Sequence, residues 1–381
     1  LLALVFLSLS SWLPLASRAD AAIEILDTTI DYTYSESLDF AIQARADLPI
    51  VEAILFYGVV DSGVVRRIYP AVQAGLQVDI QHSEVLEGGQ FAPGVRMEAW
   101  WELIAQDGSL LRTERQRFTY TDTAQSWQQM AGERVDLYWY GRTREQSRAQ
   151  EVLDTAETTV ARLEGEIGVS VDRRVQVYVY NNQSDMRPSL SSRSAIYDDL
   201  VMTLGVAVAE DTLLLLGSAS DLDQVTAHEL SHIVVGLATD NPYLGLPRWL
   251  DEGLAMYAEG EFPADNRRAL EDAVARDALI SIRSLSSYSG QAEQVDLYYG
   301  EVRSVVDYML SAYGKAKLDE LLQVFAQGAR AEDALQRVYG FGLDELDDGW
   351  RASLGLAPRP TRSSPAAEGA GIRPPRARLT S

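Results

Sequence analysis

Histidine occurs three times in 381 residues, and two of the three stand four apart, in His228-Glu229-Leu230-Ser231-His232. Residues at i and i+4 are neighbours on one face of a helix, so a helix here sets two imidazoles side by side. Two imidazoles at that spacing can bind one Zn²⁺, and Glu229 between them then faces the open metal position. A catalytic zinc of this kind takes three protein ligands. Glu252, 20 residues beyond His232 in Trp249-Leu250-Asp251-Glu252-Gly253, supplies the third. The pattern requires two helices brought together, with Asn241-Pro242 and Gly245-Leu246-Pro247 breaking the chain between them. There is no cysteine, so any zinc is held by histidine and carboxylate alone.

The formal net charge of -23 argues against a nucleic-acid partner or an anionic membrane surface, both of which need basic patches. Leu1–Leu15 is almost wholly apolar but short for a membrane span. Ala19-Asp20-Ala21 follows as a small-x-small cleavage site, so residues 1–21 read as a secretory signal peptide. A secreted or extracytoplasmic, cell-surface location is expected, with an uncleaved N-terminal membrane anchor as the alternative. The protein is expected to be a monomer.

From Ile23 to about Asp122, short alternating runs recur: 30–34, 38–42, 51–60, 75–80, 95–104 and 115–120. With turn signals between them, they suggest an antiparallel β-sandwich of immunoglobulin or fibronectin-III type over residues 22–122. His82 falls in this part and reads as a solvated strand-end residue. Residues 121–134 read as a linker. A strand at 135–140, an amphipathic helix over 144–167 closed by Gly168, and strands at 175–180, 202–208 and 212–216 follow. Gly205–Val208 is the candidate edge strand for an extended peptide. The motif helix covers about 223–237 and the Glu252 helix 248–259. Helices are expected at 265–277, 295–313, 315–327, 331–339 and 343–354. The fold class is thus α+β, with an α+β subdomain over 135–262, a helical subdomain over 263–356 and a disordered tail over 357–381.

A zinc held by His228, His232 and Glu252 acidifies its water and polarises a scissile carbonyl. Glu229 can take the water's proton and pass it to the leaving amine. An oxyanion needs one more donor, and with no histidine to spare a tyrosine is the natural source.

The histidine motif together with Leu246-Pro247-Arg248-Trp249-Leu250-Asp251-Glu252-Gly253-Leu254-Ala255 resembles the gluzincins, most of all the peptidase MA-like group related to M1 aminopeptidases and thermolysin-like enzymes. Leu297-Tyr298-Tyr299-Gly300-Glu301, followed by Val305-Val306-Asp307-Tyr308-Met309-Leu310, is similar to the M1 segment carrying the transition-state tyrosine. That alignment assigns the role to Tyr299, with Tyr298 as fallback. The resemblance covers roughly residues 135–354 and implies a thermolysin-like zincin domain, a Zn²⁺ cofactor, and a peptide or protein substrate. A sandwich followed by a peptidase domain also looks like secreted bacterial proteins of the group.

Ser231 and Asp251 stand where Thr and Asn are frequent. The Gly-Ala-Met-Glu-Asn signature that binds a substrate's free amine in M1 aminopeptidases is absent, with Leu204-Gly205-Val206-Ala207 in the comparable region. Met256 stands where a carboxylate one turn after Glu252 would orient a histidine, so such a partner must come from elsewhere. Two other functions stay open: a degenerate extracytoplasmic binding protein, and a zinc amidase acting on a non-peptide cell-envelope substrate.

Overall fold

The computed structural model describes residues 22–170, 173–191, 205–241, 244–286 and 294–359. The expected signal peptide therefore lies outside the described residues. Among those residues no helix is long and apolar enough to cross a membrane. Backbone contacts divide the chain into two units, residues 1–157 with 173–226 and residues 158–172 with 227–381. The expected subdomain 135–262 is thus shared between the units.

The first unit begins with seven antiparallel strands: β1 (Ile23–Thr33), β2 (Ser37–Val59), β3 (Arg66–Ile68), β4 (Gly75–Val85), β5 (Val95–Ala105), β6 (Leu110–Arg112) and β7 (Gln116–Tyr120). Where the sequence suggests two packed sheets, hydrogen bonding joins all seven into one. The reason is β2, which runs for 23 residues where the sequence suggests two strands. Its first half pairs with β1 and β4, and its second half with β3 and β5. No turn forms at Asp47-Leu48-Pro49. The ladder instead becomes irregular between Arg45 and Ile50 on one side and between Ile50 and Glu52 on the other. Proline has no N–H for a ladder and is tolerated at such a bulge. The bulge also shifts the inward positions by one. Leu38, Phe40, Ile42, Ala44 and Ile50 point into the core, and then Ala53, Leu55 and Tyr57 do. Because side chains alternate with period two, this one-residue step keeps both halves facing a single core shared with Val78, Ile80, Met97, Ala99, Trp101 and Leu103. His82 does not end a strand, since β4 continues to Val85. It sits opposite Phe40, half-buried, with Nε2 3.2 Å from the Glu84 carboxylate.

The unit's second sheet contains β8 (Gln128–Ala131), β9 (Val135–Trp139), β10 (Val175–Tyr180), β11 (Gly205–Ala209) and β12 (Thr212–Leu216), in the order β11-β12-β10-β9-β8. The expected linker 121–134 therefore includes a strand. Gln128-Gln129-Met130-Ala131 carries no alternation to betray it, and Trp127 fixes it by donating to the Asp122 carbonyl and packing on Tyr140, Tyr178 and Tyr180. β9, β10 and β12 are parallel neighbours, and β12 is buried throughout, as its unbroken apolar run requires. β11 lies antiparallel at the edge, so the candidate edge strand is an edge; residues 202–204 lie outside the described residues. Helix α1 (Thr143–Arg162) continues into a π-helical turn, Leu163–Ile167, closed by Gly168 at φ 94°. The amphipathic pattern over 144–167 suggests one helix and does not mark this wider final turn.

The second unit holds the motif part of α2 (Leu222–Ala238), then α3 (Arg248–Ala258), α4 (Ala264–Ala275), α5 (Val295–Tyr313), α6 (Lys315–Ala326), α7 (Ala331–Tyr339) and α8 (Leu343–Ser353). Two glycines allow close helix approach. A Cβ at Gly253 in α3 would lie 2.6 Å from the Val302 carbonyl of α5, and one at Gly300 in α5 would lie 2.4 Å from the Asn266 carbonyl of α4. Each glycine neighbours a site residue, Glu252 and Tyr299. Between α4 and α5 the chain is pinned by buried carboxylates: Glu301 accepts from the Ile280 N–H at 2.9 Å and Asp347 from the Ile282 N–H at 2.9 Å. Arg359 joins this network, donating to Asp347 at 2.7 Å and to the Leu279 carbonyl at 3.0 Å, while Arg351 holds the Ala357 carbonyl. Residues 357–359, expected as the start of a disordered tail, are therefore tied down; residues 360–381 lie outside the described residues.

Candidate metal centre

Helix α2 buries Ala227, Leu230, Ile233, Val234 and Val235. That leaves His228 and His232 on another face of the helix, with side chains 16% and 22% exposed. Helix α3 buries Trp249, Leu250 and Leu254, and packs on α5 through Gly253, with Glu252 beside the two histidines. One ligand atom from each of His228, His232 and Glu252 lies within 4.8 Å of the other two. The Glu252 Oε2 is 3.5 Å from His228 Nε2 and 3.9 Å from His232 Nε2. Ligand atoms about 3.3 Å apart are what a tetrahedral ion with ~2.0 Å bonds needs, so a small closure of this group suffices.

The other ring nitrogens are held by carboxylates. His228 Nδ1 is 2.9 Å from Glu259 Oε1, and His232 Nδ1 is 3.1 Å from Asp251 Oδ1. Such bonds fix the tautomer with the proton on Nδ1 and turn the Nε2 lone pairs inward. These are the orienting groups that the sequence reading lacked. Glu259 lies seven residues after Glu252, two helical turns on and hence on the same face, and that spacing was the available signal. Asp251, which stands where Asn is frequent, meets His232 Nδ1.

The electrostatics agree with a cation site. Burial presses the His228 imidazole down, but hydrogen bonds to Glu252 and Glu259 and the charge of Glu229 outweigh it and carry it up to about 10. Burial likewise opposes His232, and Asp251 raises it. Burial pushes the Glu252 carboxyl up, yet the histidines pull it below its ordinary value. Two imidazoles surrounded by Glu229, Asp251, Glu252 and Glu259 thus favour positive charge, and a divalent cation supplies it. The residues fit zinc, with nitrogen and oxygen donors, two fixed tautomers and a three-ligand count that leaves a position open.

Glu229 lies between the histidines, half-buried, and among the described residues accepts no hydrogen bond. Its carboxyl is raised by burial, partly offset by the two histidines. Tyr299 sets its ring 6.0 Å from that of His228, edge to face. Tyr298 is 3% exposed and turns its hydroxyl to the Leu285 carbonyl at 3.4 Å. Of the two tyrosines, then, the structure brings the Tyr299 ring to His228 and turns the Tyr298 hydroxyl to the Leu285 carbonyl.

A comparison with curated proteins finds no match. Among solved structures, the M1 zinc metallopeptidase from Deinococcus radiodurans is similar at 12% identity, over 84% of this chain and 89% of that one, with a TM-score of 0.38. A mutant of the Deinococcus radiodurans enzyme bound to a Tyr-Ser-Ala substrate is similar at 13% identity, over 85% and 90%, with a TM-score of 0.37. Catalytically inactive OgpA from Akkermansia muciniphila, in complex with an O-glycopeptide, is similar at 8% identity over 27% and 30%, with a TM-score of 0.19. The family model for the peptidase MA superfamily matches residues 155–355, which take in α2, α3 and α5 with every site residue named above. Matched over more than half its length, the chain belongs to the peptidase MA superfamily.

Proposed function

We propose that the protein is a secreted or extracytoplasmic zinc peptidase that hydrolyses peptide bonds in a peptide or protein substrate. The observation that carries this is the convergence of His228, His232 and Glu252 with both Nδ1 atoms tied to carboxylates. When bound, zinc supplies Lewis-acid activation of water and of the scissile carbonyl. The chain's own residues do the rest. Glu229, its carboxyl raised by burial and held down in part by the two histidines, takes the attacking water's proton and hands it to the departing amine nitrogen. Tyr299, beside His228, donates its hydroxyl hydrogen to the developing oxyanion. Glu259 and Asp251 keep the imidazoles in one tautomer through the cycle. The apolar Leu1–Leu15 run with Ala19-Asp20-Ala21 supports export. The mixed sheet preceding the motif helix in sequence supports a thermolysin-like kinship.

Metal analysis with a peptide-library digest tests the reading. Wild type is expected to hold one zinc per chain and to lose proteolysis with chelator. Glu229→Gln should keep the metal and lose turnover. Undiminished cleavage by that variant would remove Glu229 from the reaction.

A further inference from the structure

We propose that Arg303 and Arg162 are positioning residues of the metal centre, fixing the backbone on both sides of Glu259 so that its carboxylate meets His228 Nδ1. The inference rests on the zinc reading above. The carboxylate that orients His228 is not carried within α3. Met256 occupies the position one turn after Glu252, and Glu259 follows the last helical residue, Ala258, as the C-cap. Helix ends fray, so a cap residue depends on what holds the chain around it. Yet the Glu259 side chain is 9% exposed, with Oε1 2.9 Å from His228 Nδ1.

The hold is visible in the backbone hydrogen bonds. The last four carbonyls of a helix have no partner within it. In α3 these belong to Ala255, Met256, Tyr257 and Ala258, and all four are taken. The Glu259 N–H donates to the Ala255 carbonyl at 3.3 Å and the Gly260 N–H to that of Tyr257 at 3.1 Å. The other two carbonyls go to arginines from distant parts of the chain. Arg303 of α5 donates from Nη1 to Met256 at 2.6 Å, and Arg162, the last residue of α1, donates from Nη1 to Ala258 at 2.7 Å. Arg303 Nη2 also donates to the Gly260 carbonyl at 3.3 Å, so one guanidinium spans the chain from before Glu259 to after it. Gly260, at φ 87°, leaves room for Arg162, since a Cβ there would lie 2.8 Å from Arg162 Nη1.

Arg303 is itself fixed. Its side chain is 9% exposed, its Nε donates to the Asp307 carboxylate at 3.0 and 3.1 Å, and its guanidinium lies 4.8 Å from the centre of the Tyr257 ring. Burying such a charge is costly unless it is paired and its donors are met; Asp307 does the first, and the Met256 and Gly260 carbonyls the second. A cation is also favoured at a helix C-terminus by the helix dipole. The planar fork of arginine reaches two carbonyls at once, where a lysine ammonium is a single point charge.

Zinc affinity, read by competition with a chromophoric chelator, tests this in wild type, Arg303→Gln, Arg303→Lys and Arg162→Gln, and in both Gln variants combined with Glu259→Ala. Denaturant unfolding of each protein is followed alongside. Each Gln variant should weaken zinc binding by about three- to tenfold, less than the roughly 10- to 100-fold expected when an orienting carboxylate is removed. Arg303→Lys should fall between wild type and Arg303→Gln. In the Glu259→Ala background neither Gln substitution should change affinity by more than about twofold, because both act through that carboxylate. In metal-free wild type the His228 Nδ1 proton should give a sharp nuclear magnetic resonance signal, and it should exchange faster with solvent in both Gln variants. A merely structural role would lower stability with zinc affinity unchanged, or give losses that add to that of Glu259→Ala, and either result overturns the proposal. If Arg303→Gln does not fold, Arg162→Gln alone decides by the same measurements. Additive or absent effects in a zinc-binding wild type refute the positioning role alone, whereas wild type that binds no zinc refutes the reading on which it rests.

Discussion

Glu301 offers a quantitative test of the helical part of the fold. Its side chain is fully buried on α5, Oε1 accepts from the Ile280 N–H at 2.9 Å, and Oε2 has no hydrogen-bond partner. Burial pushes this carboxyl up from 4.5 to about 8; the Ile280 bond and the charge of Arg359 pull it down, and Asp347 pushes it further up. The folded state therefore holds this proton more tightly than the unfolded chain. The group's contribution to stability is fully present below about 4.5, declines as pH rises, and is lost once pH passes through about 8. At ~1.36 kcal/mol per pH unit, the span from 4.5 to about 8 amounts to about 5 kcal/mol. Glu301→Gln keeps the carbonyl acceptor for Ile280 and removes the ionisation. The difference in unfolding free energy between variant and wild type should be small at pH 4.5 and should grow by a few kcal/mol toward pH 9, in favour of the variant. Denaturant unfolding of both proteins at half-unit pH steps measures it. A difference that stays flat from pH 5 to 9 would mean Glu301 is ionised in the fold, and the reasoning from its unpartnered oxygen fails.

Gly253→Ala drives a methyl group against the Val302 carbonyl; overpacking of this kind costs about 1–3 kcal/mol, and thermal unfolding should show a lower midpoint together with weaker zinc binding. Glu259→Gln and Asp251→Asn should each weaken zinc binding by about 10- to 100-fold in competition with a chromophoric chelator, and unchanged affinity would strip these groups of their orienting role. Tyr299→Phe should lower kcat by about 10²- to 10³-fold with little change in KM, whereas Tyr298→Phe, whose hydroxyl meets the Leu285 carbonyl, should act mainly on stability.

The ligand set was legible because metal binding imposes spacing. Two histidines four positions apart and a glutamate on the next helix can be read without knowing what surrounds them. Helices α5 and α7 were legible to the residue, since Gly314 and Gly340, both at positive φ, close them. The orienting carboxylates were not. A glutamate at the end of α3 looks the same in sequence whether it meets solvent or an imidazole, and only the approach of α2 decides. Strand β2 was misread for a related reason. Asp47-Leu48-Pro49 carries ordinary turn chemistry, and the pairing of Ile50 and Glu52 with β5, some fifty residues later, overrides it. Gln128–Ala131 is a strand by virtue of its neighbour and not of its composition.

The unbroken course of β2 bears on how the β domain comes apart. Its two halves share one backbone, and each half is the centre of its own ladder, with β1 and β4 on one and β3 and β5 on the other. A sandwich of independent sheets could open along the seam between them; here β2 runs from one ladder into the other. Amides at both ends of β2 should therefore exchange with deuterium through a common opening, and a protease that reaches Pro49 should find it only in molecules whose whole seven-stranded layer has let go.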